Sequence, residues 1–190
     1  MTPALLLDTC SIINLSYCSP VATLFKDTYT GRAGWARAVR TELTRQRTKR
    51  PPHPQAGRAC NWAVTWLGDP IEVTHPNEQI AVEAIQNEIS LGSDNDALDH
   101  LGEAASIYLL VTAGIGRLIS DDHAARATAR SARHNVRASS TVGVLAVLLA
   151  RNDVDPATVD TYLNILRAQG RMRIGLTATD LLAGDLGPWA

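Results

Sequence analysis

The apolar stretches of this chain are short, and several of them close on an acid or a hydroxyl. Leu5-Leu6-Leu7 is followed at once by Asp8-Thr9. Three apolar residues are too few for a helical face and are bounded as a buried strand is. The same reading places strands at Pro70-Ile71-Glu72-Val73-Thr74, at Arg117-Leu118-Ile119-Ser120 and at Asn135–Ala138. Helical patterns run between and beyond them: Ile12–Ser16, Val21–Thr28, Ala33–Arg45, Ala56–Leu67, Ile80–Ile89, Leu98–Ala113, Ala124–Arg133, Val142–Ala150, Pro156–Ala168 and Thr177–Ala183. Pro20 suits a first helical turn, while Pro51, Pro52 and Pro54 enforce an extended loop. Leu91–Asp96 reads as a polar loop, and Gly114 and Gly116 end the strongest helix. Parallel strands need a crossover, which a helix supplies. The expected architecture is α/β: a three-layer α/β/α sandwich with a central parallel sheet.

With 190 residues and a hydrophobic fraction of 45%, the chain can bury the core of one domain. A formal charge of −1 excludes a uniformly basic nucleic-acid coat, but the charges are segregated. Between Arg32 and Arg58 stand eight bases and one acid, Glu42; between Asp69 and Asp122 stand eleven acids and one base, Arg117. Such blocks are either solvated surface or a basic rim beside an acidic pocket, as when a polyanion is held over a metal. No apolar run approaches the roughly 18–20 residues that span a bilayer. Met1-Thr2-Pro3-Ala4 lacks the basic start of a signal peptide. Cys10, Cys18 and Cys60 form no CxxC pair and read as reduced thiols in a cytoplasmic protein.

In a parallel α/β sheet, ligands bind outside the carboxyl ends of the strands. Two expected strands end there with acids: Asp8 and Asp121-Asp122. Glu103 lies on the strongest helix, four residues after Asp99, a spacing that puts both on one helical face. Like charges there repel, and a divalent cation is the simplest compensation. Oxygen ligands without a His or Cys cluster favour Mg²⁺ or Mn²⁺ over Zn²⁺. Glu42 adds an acid to an arginine-rich helix. The competing reading is that Asp8-Thr9 and Ser120-Asp121 merely cap the helices after them. Other carboxylate and phosphate chemistries fit poorly. A dehalogenase-type phosphatase needs an acid where Cys10 stands. No GxxxxGK[ST] loop is present, and Gly31-Arg32-Ala33-Gly34 lacks the third glycine of a dinucleotide fingerprint. The five His residues, His100 and His123 among them, show no ligand spacing.

These residues resemble the PIN-domain nucleases. Leu5-Leu6-Leu7-Asp8-Thr9-Cys10 with Ile12-Ile13-Asn14-Leu15 is similar to the family's opening strand, Asp-Thr/Ser and first helix. Leu98-Asp99-His100-Leu101-Gly102-Glu103 through Ile107 resembles the "LD-x-GE-x-x-x-I" helix of one subgroup. Ile119-Ser120-Asp121-Asp122 through Arg126 resembles "I-x-DD-x-x-A-R". Thr141-Val142-Gly143-Val144-Leu145 resembles "T-x-G-x-L", and Leu166–Ile174 resembles "L-R-x-x-G-x-R-I". The order holds over residues 4–184, so the expected unit is one PIN-like domain over 1–184 with a family-specific insertion at 45–75.

The resemblance implies a metal-dependent endoribonuclease with Asp8, Glu42, Glu103, Asp121 and Asp122 as its acidic catalytic site. Of these, Asp8, Glu103, Asp121 and Asp122 are expected to hold Mg²⁺ or Mn²⁺, with Asp99 beside them. Arg45, Arg47, Lys49 and Arg50 are the expected hold on the RNA backbone. Many relatives are VapC-like toxins silenced by a small antitoxin, so a cognate antitoxin, a homodimer and a cytoplasmic location are implied, and no membrane. The alternative is a non-catalytic PIN-like module that binds RNA or protein.

Overall fold

The computed structural model describes residues 3–90, 99–114, 116–169 and 175–190. Four strands, β1 (Leu5–Leu7), β2 (Ala33–Gly34), β3 (Arg117–Ile119) and β4 (Arg137–Ser139), form an all-parallel sheet in the order β2-β1-β3-β4. The helices are α1 (Thr9–Ser16), α2 (Ser19–Tyr29), α3 (Arg37–Thr48), α4 (Ala56–Val64), α5 (Pro76–Ile89), α6 (Leu101–Ala113), α7 (His123–Arg130), α8 (Thr141–Ala150), α9 (Pro156–Ala168) and α10 (Ala178–Ala183). A 3₁₀ turn, Gly187–Trp189, follows them. Helices α3 to α6 pack against one another, and α8, α9 and α10 form a second group that α2 joins through α9. This is the expected α/β/α sandwich. Among the described residues, no helix is long and apolar enough to cross a membrane.

β1 is apolar throughout because it lies inside the sheet, and all three of its leucines are buried. Its register pairs Leu5 with Ala33 on one side and Leu7 with Ile119 on the other. The chain leaves β1 for β2 on one edge and later returns to β3 on the opposite side. The strand order therefore reverses between β1 and β3, where α/β sheets offer a crevice at their carboxyl ends.

Several sequence expectations need correction. The stretch 70–74 is not a strand of the sheet; only Ile71 bridges, to Ala36. Its N–H donates to the Trp35 carbonyl at 2.9 Å and its carbonyl accepts from Arg37 N–H at 2.7 Å. Pro70 has no N–H to extend that pairing, and α5 already begins at Pro76. The true edge strand is Ala33–Gly34, which the apolar spacing assigns to a helix. A Cβ at Gly34 would lie 2.9 Å from Pro3 Cγ, so this edge admits no side chain as Pro3 passes. At the other edge, Asn135 has φ of 50°, which an extended strand cannot contain, and β4 starts at Arg137. Helices α4 and α7 stop at Val64 and Arg130, short of Leu67 and Arg133.

One correction bears on the site. His100 is left-handed, with φ of 61°, and α6 starts after it at Leu101. Asp99 therefore stands outside the helix and shares no helical face with Glu103. Leu98, the loop 91–96 and the segment 170–174 of the last motif lie outside the described residues.

Candidate metal centre

Asp8 follows β1 directly. Its N–H donates to the Ile119 carbonyl at 3.1 Å, which extends the β1–β3 pairing by one step and brings Asp8 beside Ser120. Its carboxylate then does two things. Oδ1 accepts the Ser11 N–H at 2.7 Å and caps α1, as an N-cap residue does. Oδ2 accepts from the Ser120 hydroxyl and, at 2.9 Å, from the Cys10 thiol. Asp8 is thus a cap and also faces the crevice, so the two readings of its sequence position are not exclusive.

Glu42 arrives from α3, buried. Its Oε2 accepts from the Thr9 hydroxyl, and its Oε1 accepts the Gly102 N–H at 2.8 Å. His100 offers α6 no side-chain cap, so Glu42 caps that helix from another element and places its charge at the positive end of the dipole. The approach is tight. A Cβ at Gly102 would lie 2.8 Å from Glu42 Oε2 and 3.0 Å from Val39 Cγ2, which explains the glycine before Glu103.

Glu103, 6% exposed, points from the first turn of α6 into the same crevice. Apart from its own backbone N–H, its carboxylate has no donor among the described residues. One ligand atom each from Asp8, Cys10 and Glu103 lie within 4.8 Å of one another.

The two aspartates after β3 separate in role. Asp121 is fixed by Asn14 Nδ2 at 2.8 Å, the Thr141 N–H at 2.8 Å and the Thr141 hydroxyl at 2.9 Å, and its charge is felt at Asp8. Asp122 turns its Oδ1 to the Ala125 N–H at 2.8 Å and caps α7. Buried Arg126 donates to the Ser120 carbonyl at 2.9 Å and to the Pro188 carbonyl, so it braces the end of β3. Asp99 stands apart from the cluster, with its Oδ1 ion-paired to Arg45 at 3.0 Å. Of the basic block, Arg45 is half-buried, while Arg47, Lys49 and Arg50 are exposed.

Cys10 was missed as a pocket residue because a lone thiol shows no ligand spacing. Thr9, Asn14, Ser120 and Thr141 lie within the quoted motifs, but only their contacts show that they hold the carboxylates.

Burial dominates the electrostatics. It raises the Asp8 carboxyl from 3.8 to about 6, against the hydrogen bonds from Cys10, Ser120 and Ser11. Burial lifts Glu103 well above the usual range, with Glu42 and Asp8 adding repulsion. Glu42 and Asp121 are also raised by burial, and the Cys10 thiol is pushed up by burial and by the acids around it. Hard oxygen donors, mutual repulsion and a buried carboxylate with no side-chain donor among the described residues together fit a divalent cation.

The fold and the crevice define an α/β sandwich with acids gathered at the point where its strand order reverses. A family model described as a PIN domain matches residues 4–180, and the chain belongs to the PIN-domain family, whose fold is of the nuclease type. No curated protein and no solved structure matches it.

The raised carboxyls set a pH dependence. Without metal, folded Asp8 binds its proton more tightly than the unfolded chain does. Its contribution to stability is therefore complete below pH 3.8 and lost as pH rises through about 6. Thermal unfolding in chelator should show the melting temperature falling across that window, and saturating Mn²⁺ should remove the fall. A melting temperature that is flat in chelator would contradict a strained acidic crevice.

Proposed function

We propose that this PIN domain is an Mg²⁺- or Mn²⁺-dependent endoribonuclease that hydrolyses RNA phosphodiester bonds in the Asp8–Glu103 crevice. The carrying observation is the buried Glu103 carboxylate, which has no side-chain donor among the described residues, set against Asp8 at the sheet's switch point. A divalent cation bound there supplies charge neutralisation at the scissile phosphate and lowers the pKa of a water.

Asp8 and Glu103 hold the ion, and Asp121, locked by Asn14 and Thr141, adds a fixed third charge. Glu42 keeps the first turns of α1 and α6 together, so Asp8 and Glu103 converge without adjustment. Asp122 acts through its charge, which is felt at Glu103. Asp99 serves by holding Arg45, and Arg47, Lys49 and Arg50 then form the exposed part of the RNA-binding rim. RNA as substrate, the toxin role with a cognate antitoxin, the homodimer, the cytoplasmic location and a single domain over 1–184 are supported by the family resemblance. Growth arrest on expression, relieved by a neighbouring small protein, tests the toxin role, and light scattering tests the dimer.

Asp8→Asn separates chemistry from capping. Asn caps a helix about as well as Asp, and the substitution removes one buried repelling charge. The metal-free melting temperature should hold or rise, the Mn²⁺-induced gain should shrink, and RNA cleavage should fall by orders of magnitude. Cleavage that persists in Asp8→Asn overturns the site. No metal-dependent cleavage of any RNA by the wild-type chain, with RNA still bound, would favour the non-catalytic module. Single-stranded DNA in the same assay distinguishes ribonuclease from general nuclease action.

Neutralising Arg47, Lys49 and Arg50 together should weaken RNA binding and flatten its salt dependence, by about 0.7 in log–log slope per lost phosphate contact on a single strand. An unchanged slope would make these residues ordinary solvated surface.

A further inference from the structure

Cys10 stands in the crevice beside both Asp8 and Glu103. Asp8 caps α1 and Cys10 is the second residue of that helix, so one helix start presents both groups. The thiol donates to Asp8 Oδ2 at 2.9 Å, and Sγ, an Asp8 oxygen and a Glu103 oxygen all lie within 4.8 Å of one another. Glu103 completes the triangle from α6, nine-tenths buried and without a side-chain donor among the described residues. The donor set is therefore not purely hard. Two carboxylates and a sulfur suit a borderline-soft ion better than Mg²⁺, which prefers six oxygens in a rigid octahedron.

We propose that Asp8, Cys10 and Glu103 form a mixed oxygen–sulfur site that takes thiophilic divalent ions (Zn²⁺, Co²⁺ or Cd²⁺), and that an ion held this way blocks the nuclease. On binding, the Cys10 proton leaves to solvent and the thiolate joins the two carboxylates, with the fourth position open. Bonds of about 2.0–2.3 Å in a tetrahedron put donor atoms about 3.5 Å apart. The three donor atoms lie within 4.8 Å of one another, and the 2.9 Å thiol–carboxylate contact opens as its hydrogen is lost. The block rests on the nuclease reading, since it arises because Asp8 and Glu103 cannot serve Mg²⁺ at the same time. The binding site itself does not depend on that reading.

Co²⁺ titration of the full chain tests the site without any activity assay. The wild type should develop a near-ultraviolet sulfur-to-cobalt band that saturates at about one ion per chain. A Cys18→Ser/Cys60→Ser double variant should keep the band, and Cys10→Ser and Glu103→Gln should lose it. X-ray absorption of the Zn²⁺-loaded wild type needs no variant and should show one sulfur at about 2.3 Å. In an Mg²⁺-supported RNA assay, Zn²⁺ should inhibit the wild type at concentrations at least tenfold lower than it inhibits Cys10→Ser, each measured against its own uninhibited rate. Bound Co²⁺ with no sulfur band, or a band indifferent to Cys10→Ser, overturns the proposal and leaves the Mn²⁺ reading standing. A sulfur band in a chain that cleaves no RNA with any metal keeps the site and overturns the nuclease reading together with the block.

Discussion

Acids brought out of water at the ends of β1 and β3 impose the constraint around which the other parts are arranged. Asp8, Glu42 and Glu103 are each less than a tenth exposed, and Asp121 is half-buried beside them. Removing a carboxylate from water costs several kcal/mol even after relaxation, and charges of like sign close together add to it. Hydrophobic burial elsewhere can offset this in total, but only local donors can keep each acid in place. A charged hydrogen bond contributes about 1.5–3 kcal/mol, and the chain supplies several. Ser11 and Ser120 serve Asp8, Thr9 and Gly102 serve Glu42, and Asn14 and Thr141 serve Asp121. Glu103 has only its own backbone N–H and no side-chain donor among the described residues, so a cation from outside is the remaining compensation for its charge.

The backbone is shaped by the same demand. The short β1 strand is buried on both faces, which makes it a rigid mount for the residue that follows it. Its pairing with β3 continues through Asp8 N–H, and this step puts Ser120 within reach of the Asp8 carboxylate. Gly102 removes a side chain where α6 meets Glu42, and the left-handed His100 turns the chain into that helix. Arg126 ties the Ser120 carbonyl at the end of β3 to the segment at Pro188. Glu42 and Asp122 both cap helices, and capping here is the means by which helix starts are aimed at one point.

Much of this was legible in the sequence where a local pattern has a single physical reading. Leu5-Leu6-Leu7-Asp8 suits a buried strand with an acid at its end, and the Asp121-Asp122 pair after Leu118-Ile119 repeats the arrangement. The PIN resemblance rested on those same strings. The second strand is not legible because alternation at 70–74 resembles a strand more than Ala33–Gly34 does, and two-residue strands leave no period to read. The four-residue spacing from Asp99 to Glu103 assumes a continuous helix, which a left-handed His100 breaks. The place of Cys10 in the pocket is not legible in the sequence, because Glu103, distant in sequence, meets the Asp8–Cys10 pair only in the fold.

These acids hold protons until a divalent cation replaces them. Calorimetric titration of Mn²⁺ into the chain near pH 6, in buffers of different ionisation enthalpy, measures the protons released per ion bound. Binding should be saturable with a release of about one proton or more, reduced in Asp8→Asn and in Glu103→Gln. Binding without proton release, or release unchanged in both variants, would contradict that exchange.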